Sequence, residues 1–295
     1  MPFLKILTIT NTTLKKTKKK MINKHLTFED LHSFWRHSMK ESRAYTKSSR
    51  NPRDQWSGGL SWEEAKQMAL KGWREGLREI EKFQAQITPF IAEKVLRYQQ
   101  TYAVSGYNVD VGTYLANDPE CFISRIYEER NYPGKIFTIV CSISFSAAIS
   151  TTTIIQRGAM ICALIDAIEY AGHRAEVICN WAVSREQTSY YRQGNLKNYG
   201  WLEVDVTLKK ADQPLEMIEL AFCLAHPSML RRIMFSIAEI EGWSDSAHAY
   251  GYPATATNKG DIYIQEVFSG EVSDDKAISW VLEELEKLGV DLSTT

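Results

Sequence analysis

Ser142, Ser144 and Ser146 stand at two-residue spacing where the apolar, β-branched run Ile136 to Ser144 gives out. Hydroxyls in such a row have two chemistries: one is activated as a nucleophile by a nearby base, or several serve as neutral oxygen ligands. The nucleophile reading requires His226 as base with an acid such as Asp166, and it lacks the Gly-x-Ser-x-Gly elbow. His226 precedes Pro227, and proline both lacks an amide hydrogen and disfavours a helical residue before it, so a break in a bent helix is the simpler role. Arg231 and Arg232 follow within a mixed apolar segment. Their guanidinium groups either pair with an acid at a domain junction, the favoured reading, or bind a phosphate or carboxylate ligand. Tyr190 and Tyr191, with Tyr199, Trp201, Arg185, Arg192 and Lys197, form an aromatic and basic loop suited to stacking on single-stranded bases or, preferably, to anchoring a protein interface. Asp110, just before Val111-Gly112, is a metal ligand or base on one reading and a turn cap on the more common one.

Other chemistries are excluded by what is missing. Neither a G-x-x-x-x-G-K-[ST] loop nor a G-x-G-x-x-G run occurs, which removes nucleotide-triphosphate hydrolysis of the usual kind. Five cysteines (Cys121, Cys141, Cys162, Cys179, Cys223) lie mostly in apolar runs without a C-x-x-C pair, so they are expected to be buried thiols in a reducing compartment, and no metal or cofactor is expected. Over 295 residues, 35 Lys and Arg nearly balance 36 Asp and Glu. The first 20 residues hold six of those lysines and no acid, leaving 29 basic against 36 acidic side chains in the body. An acidic body argues against duplex binding, which needs cations to displace counterions from phosphate. No apolar stretch approaches the ~20 residues of a membrane span, so a cytoplasmic protein of a bacterial host cell is expected.

The elements that must position these groups are legible as patterns. Residues 1–20 read as a basic tail: either an arm that touches nucleic acid or anionic lipid, or, preferably, purine-rich leader codons ahead of an initiator at Met21. From Leu26, with Thr27 as cap, Phe28, Leu31, Phe34, Trp35 and Met39 predict a helix, and Ser42 to Gln55 predicts a polar surface linker. Ser61 and Glu64 form a capping box ahead of a helical stripe through Gly72 and Gly76 to Ile80, where a close neighbour is expected against the glycines. Ile87 to Leu96 predicts another helix, and irregular structure follows near Gly106 to Pro119.

The second half alternates. Ile136 to Ser144 predicts a strand buried on both faces, and Thr151 or Thr152 caps a deeply packed helix ending at Gly172. Ala175 to Val183 is a strand, and the alternation of Trp201 to Leu208 predicts a half-exposed edge strand. A helical stretch from Leu215 to Ile240 is interrupted at His226-Pro227, and a strand at Ile262 to Val267 precedes a helix over Lys276 to Leu288. The fold class predicted is therefore α/β: a helical region over 21–130, then a mainly parallel, helix-covered sheet over 131–295, with its ligand site at the carboxyl ends of the strands.

An apolar strand running into Ser142-Ile143-Ser144-Phe145-Ser146, then a helix and a β-hairpin, resembles a von Willebrand factor A domain over about Lys135 to Leu288. That family's adhesion motif is Asp-x-Ser-x-Ser, and Ser142 stands at the aspartate position here. The resemblance thus implies a degenerate site with no saturable Mg2+ or Mn2+ binding in the micromolar range at the serine loop, which Ser142→Asp is designed to restore. More of the chain resembles an uncharacterised family carried by phages and mobile elements. The residues are Trp56-Ser57-Gly58-Gly59, Gly72-Trp73 with Gly76, Asp110-Val111-Gly112, Arg157-Gly158-Ala159 and His226-Pro227-Ser228-Met229-Leu230-Arg231-Arg232. The function expected is a non-enzymatic interaction protein, using Ser142, Ser144, Ser146, His226, Arg231, Arg232, Tyr190 and Tyr191 toward a protein partner. The alternative is a small enzyme or single-stranded nucleic-acid binder centred on the serine loop and the Arg231/Arg232 pair.

Overall fold

The computed structural model describes residues 22–95, 98–106, 108–127, 134–185, 200–247, 249–268, 274–287 and 289. The basic tail and the loop carrying Tyr190 and Tyr191 lie outside the described residues. In chain order the elements are β1 (Asn23–Phe28), α1 (Leu31–Ser38), α2 (Trp62–Lys71), α3 (Leu77–Val95), β2 (Tyr98–Ala103), β3 (Asn108–Val109), α4 (Val111–Leu115) and β4 (Phe122–Tyr127). The second half continues with β5 (Ile136–Ser142), α5 (Thr151–Tyr170), β6 (Arg174–Ser184), β7 (Trp201–Lys209) and α6 (Met217–Ala225). A π-helical turn (Met229–Met234) follows, then α7 (Phe235–Ile240), α8 (Trp243–Ala247), β8 (Tyr252–Pro253), β9 (Ile262–Ile264) and α9 (Asp274–Lys287).

Local chemistry sets most helix ends. Ser61 accepts from the Glu64 amide at 3.3 Å while Glu64 accepts from the Ser61 amide at 2.8 Å, the reciprocal box read from the sequence. Asp110 accepts from the Thr113 amide at 3.1 Å and caps α4, the structural one of its two readings. Gly172 follows α5 at φ 86°, and His226 ends α6 in an extended conformation ahead of Pro227.

Other expectations need correction. The residues around Leu26 form strand β1, because the first helix is capped by Asp30, whose carboxylate accepts the Ser33 amide at 2.6 Å. The stripe from Ala65 to Ile80 is two helices: Gly72 ends the first at φ 75°, and the chain turns there so that the Trp73 amide donates to Ile218 at 2.9 Å. A Cβ on Gly72 would lie 2.9 Å from Ile218, so the anticipated close neighbour exists. Ser150 caps α5, with Thr153 donating at 3.1 Å. The first 130 residues are not uniformly helical, since β2, β4 and β3 form a separate antiparallel sheet.

The main sheet has the order β1-β7-β6-β5-β9, with β8 paired to β6. It is mainly parallel: β1 with β7, β6 with β5 and β5 with β9, while β6 pairs antiparallel with β7 and β8. Strand β7 is therefore internal rather than an edge, because β1 closes its outer side. One face carries Phe137, Ile139, Cys141, Val177, Cys179, Trp181, Leu202, Val204 and Val206, in one core cluster with the buried residues of α1, α2, α3, α5, α6, α7 and α9. Val140 and Ala182 point the other way, and although buried they stand outside that cluster. The helices thus stack on one face of the sheet. The other face carries the polar side chains and its helix cover is absent among the described residues, yet β5 is buried on both faces as expected, with Val140 and Ser142 at 0% and 1% exposure.

α5 is the one described helix long and apolar enough to cross a membrane, and 67% of the relevant window is buried inside the fold, as a core helix should be. Cys162 within it and Cys141, Cys179 and Cys223 outside it are buried free thiols, and burial pushes the Cys141 thiol up to about 12. Gly158 admits α6 against α5: a Cβ there would sit 2.2 Å from the Ala225 Cα and 2.4 Å from the Leu224 carbonyl oxygen. Alanine gains up to about 1 kcal/mol of helix propensity over glycine, but overpacking against backbone costs about 1–3 kcal/mol. Gly158→Ala is therefore expected to destabilise by about 1–2 kcal/mol in urea titration, and a stabilised variant would refute so close a crossing.

Candidate functional site

The serine loop is built into the sheet. Where β5 leaves the ladder, the Ser144 hydroxyl donates to the Ala182 carbonyl and accepts the Ala182 amide, both at 2.9 Å. Ser142 accepts the Ser144 amide at 3.3 Å, and the Ser146 amide donates to Val267 at 2.9 Å. Ser142 and Ser144 are buried, Ser146 half-buried.

His226 is also structural. Its Nδ1 accepts the Ser228 amide at 3.1 Å, its ring stacks on Phe222 and meets Trp73 edge-on, and burial pushes its pKa down to about 4. Asp166 is held by Gln84 at 2.8 Å, with burial raising its pKa. No hydrogen bond joins Ser144 or Ser146 to His226, or His226 to Asp166, among the described residues, so the triad geometry is not assembled with either serine.

Arg231 and Arg232 are buried and mainly hold backbone carbonyls. Arg231 donates to Trp56 at 2.5 Å and Ile149 at 2.6 Å, tying the serine loop to the segment before α2. Arg232 donates to Ser49 and Asn51, each at 2.9 Å, and to Pro52 at 3.2 Å, with Asp54 at 3.6 Å as its acidic neighbour. Glu239 accepts the Ser48 and Ser49 amides at 2.9 Å, and Asp245 accepts the Thr46 amide at 2.8 Å. Ser42 to Gln55, expected as a surface linker, is a strap fixed at both its donors and its acceptors.

The polar sheet face gathers chemistry that the sequence reading passed over. Register aligns Ser142 with Asn180, Asn180 with Asp205 and His25 with Glu203, so these side chains share a face. Asn180 donates to Glu203 at 3.0 Å and to Asp205 at 2.7 Å, and His25 Nε2 lies 2.8 Å from Asp205. Thr257, on the segment that leads from β8 to β9, donates its amide to Glu203 at 2.7 Å and its hydroxyl at 2.5 Å. Glu203 and Asp205 are only 1% and 6% exposed, yet among the described residues the one basic side chain paired with either is His25. Nearby, Tyr263 donates to Glu266 at 2.7 Å and Thr255 donates to the same carboxylate at 2.6 Å. Burial raises the Tyr263 phenol, and Glu266 adds to the rise. The alternation of β7 is the signal that places Glu203 and Asp205 together, but it reads as solvent exposure until β1 is seen as a strand.

At the opposite end of β7 lies a cleft of about 310 Å3 lined by Glu29, Asp30, His32, Lys209, Glu216 and Glu219. Burial raises the Glu219 carboxyl, with Glu216 adding to it.

No curated protein and no solved structure matches the chain. A family model does match residues 13–292, and on that span the chain belongs to the family described as Domain of unknown function (DUF7192).

Proposed function

We propose that the chain is a non-enzymatic interaction protein of phage or mobile-element origin, presenting the carboxyl-end loops of a degenerate von Willebrand A-like domain to a protein partner. The order β5, serine loop, α5, then the antiparallel β6–β7 pair supports the domain reading. The observation that carries the function is aromatic exposure at that end of the sheet. Trp56 is 40% exposed although its indole donates to Ala147 of the serine loop at 3.0 Å and the Arg231 guanidinium stacks 4.2 Å behind it. Tyr252, paired with Ser184 at the end of β6, is 46% exposed. Aromatics held rigid before binding lose little entropy on contact, which is why such side chains anchor interfaces. The committed hydroxyl of Ser144 and the neutral, bonded His226 weigh against the hydrolase alternative.

The double variant Trp56→Ala/Tyr252→Ala is expected to keep a thermal midpoint within a few degrees of the parent, because both rings are partly solvated. It should lose partner capture in affinity purification from host cells. Capture that survives the double variant, or that disappears with nuclease, would remove this reading in favour of another surface or of single-stranded nucleic acid. Tyr190→Ala/Tyr191→Ala is the companion test of the sequence-based expectation.

A further inference from the structure

We infer a divalent-cation site on the polar face of the sheet, formed by His25, Glu203, Asp205 and Asn180 and suited to a first-row ion of the Mn2+ type. The inference is independent of the interaction reading and of the serine loop. The ligand atoms offered by His25, Glu203 and Asp205 all lie within 4.8 Å of one another. An octahedral ion with bonds of about 2.2 Å separates its donors by about 3 to 4.4 Å, so a contraction of a few tenths of an ångström completes the set. The donors come from three neighbouring strands in register and need no loop to fold over them.

Asn180 supplies the second, independent observation. It is fully buried, its amide nitrogen bridges both carboxylates, and its Oδ1 has no hydrogen-bond partner. A buried amide oxygen left unbonded is costly, and so are two desolvated carboxylates whose one basic partner among the described residues is His25. Turning the amide over gives up its two donated bonds and directs Oδ1 at the carboxylates, an exchange that only bonds to a cation compensate. Without a cation that contact is repulsive; with one, Oδ1 becomes the fourth ligand. Thr257 fixes both oxygens of Glu203 and acts as the outer partner that orients a ligating carboxylate. The His25 side chain, 34% exposed on the edge strand, is the entrance, and the positions left over fall to water. One imidazole among three oxygen donors favours Mn2+ over Mg2+ and Ca2+, with Zn2+ as the competitor.

The test is calorimetric titration of the chelator-treated full chain with Mn2+, with free Mn2+ followed in parallel by electron paramagnetic resonance. Expected are one saturable site in the micromolar range, weaker Mg2+ binding, and a thermal midpoint raised by several degrees at about 100-fold excess over Kd. His25→Ala also removes the 2.8 Å partner of the buried Asp205 and should lower the metal-free midpoint, so it is read on affinity by calorimetry of the folded variant, where Mn2+ binding should weaken about 10- to 100-fold. Asp205→Asn should abolish saturation. Absence of saturable binding by both Mn2+ and Zn2+ to the unmodified chain overturns the inference, as does binding whose affinity is the same in both variants.

Discussion

Arg232→Met is expected to lower stability by about 3–4 kcal/mol, one of the largest losses available from a single side chain here. The guanidinium is fully buried and holds the carbonyls of Ser49, Asn51 and Pro52, while its nearest carboxylate, Asp54, stands off at 3.6 Å with its side chain 43% exposed. Methionine fills much of the volume but donates nothing. The Asn51 and Pro52 carbonyls sit on exposed residues and recover water, whereas Ser49 is buried and does not. Arg232→Lys is expected to lose about half as much, since one ammonium cannot reproduce a planar fork. Glu239→Gln should cost less again, because its Oε1 still accepts the Ser48 and Ser49 amides and the Tyr250 hydroxyl. Urea titration gives the magnitudes, and hydrogen exchange at the Ser48 and Ser49 amides reports whether the strap opens first. A loss under about 1 kcal/mol for Arg232→Met would show that the strap is held elsewhere.

The second large effect is a pH dependence carried by His226. Its folded pKa is pushed down to about 4 by burial, against an ordinary value of 6.5. Between those values the unfolded chain binds a proton that the folded chain refuses, so stability falls as pH falls. Full acidification through that window is worth about 3 kcal/mol. His226→Asn keeps an acceptor for the Ser228 amide and removes the titration. It should be less stable at pH 7, because stacking on Phe222 and Trp73 is lost, but should close most of that gap by pH 4. Glu169 and Glu241 have carboxyls held below their ordinary value by hydrogen bonds from Ala175, Lys209 and Arg174, and from Lys24 and His37 respectively, which outweigh burial. Their contribution is lost only as pH falls below about 4.5, so the upper part of the window belongs to histidines: His226, and His173, whose pKa burial and then Lys135 also lower. Parallel stability curves for the parent and His226→Asn from pH 7 to 4 would disprove the assignment.

Short-range chemistry made part of this protein readable from its residues. The Ser61 and Glu64 box, the Gly172 turn, the His226-Pro227 break and the Asp110 cap each depend on side chains within a few positions of the backbone they satisfy. The apolar runs that became β5 and β6, and the interrupted helix after them, were legible for the same reason: burial on a helix or strand leaves a local period. Strand β1 was not. Asn23–Phe28 carries only two apolar side chains, and what makes it a strand is a parallel partner that begins at Trp201. Without that partner Glu203 and Asp205 read as a solvated edge, when pairing on both sides, together with Thr257, buries them.

The arginine pair shows the same boundary. Composition announced two cations in an apolar segment, but their acceptors are carbonyls 82 to 183 residues away in chain order, and a carbonyl leaves no mark in a sequence. The candidate cation site is the extreme case, drawn from positions 25, 180, 203 and 205. No spacing rule connects those numbers. Caps, turns and apolar periods are decided by neighbours along the chain; the polar face and its four donors exist only because strand register brings β1, β7 and β6 side by side.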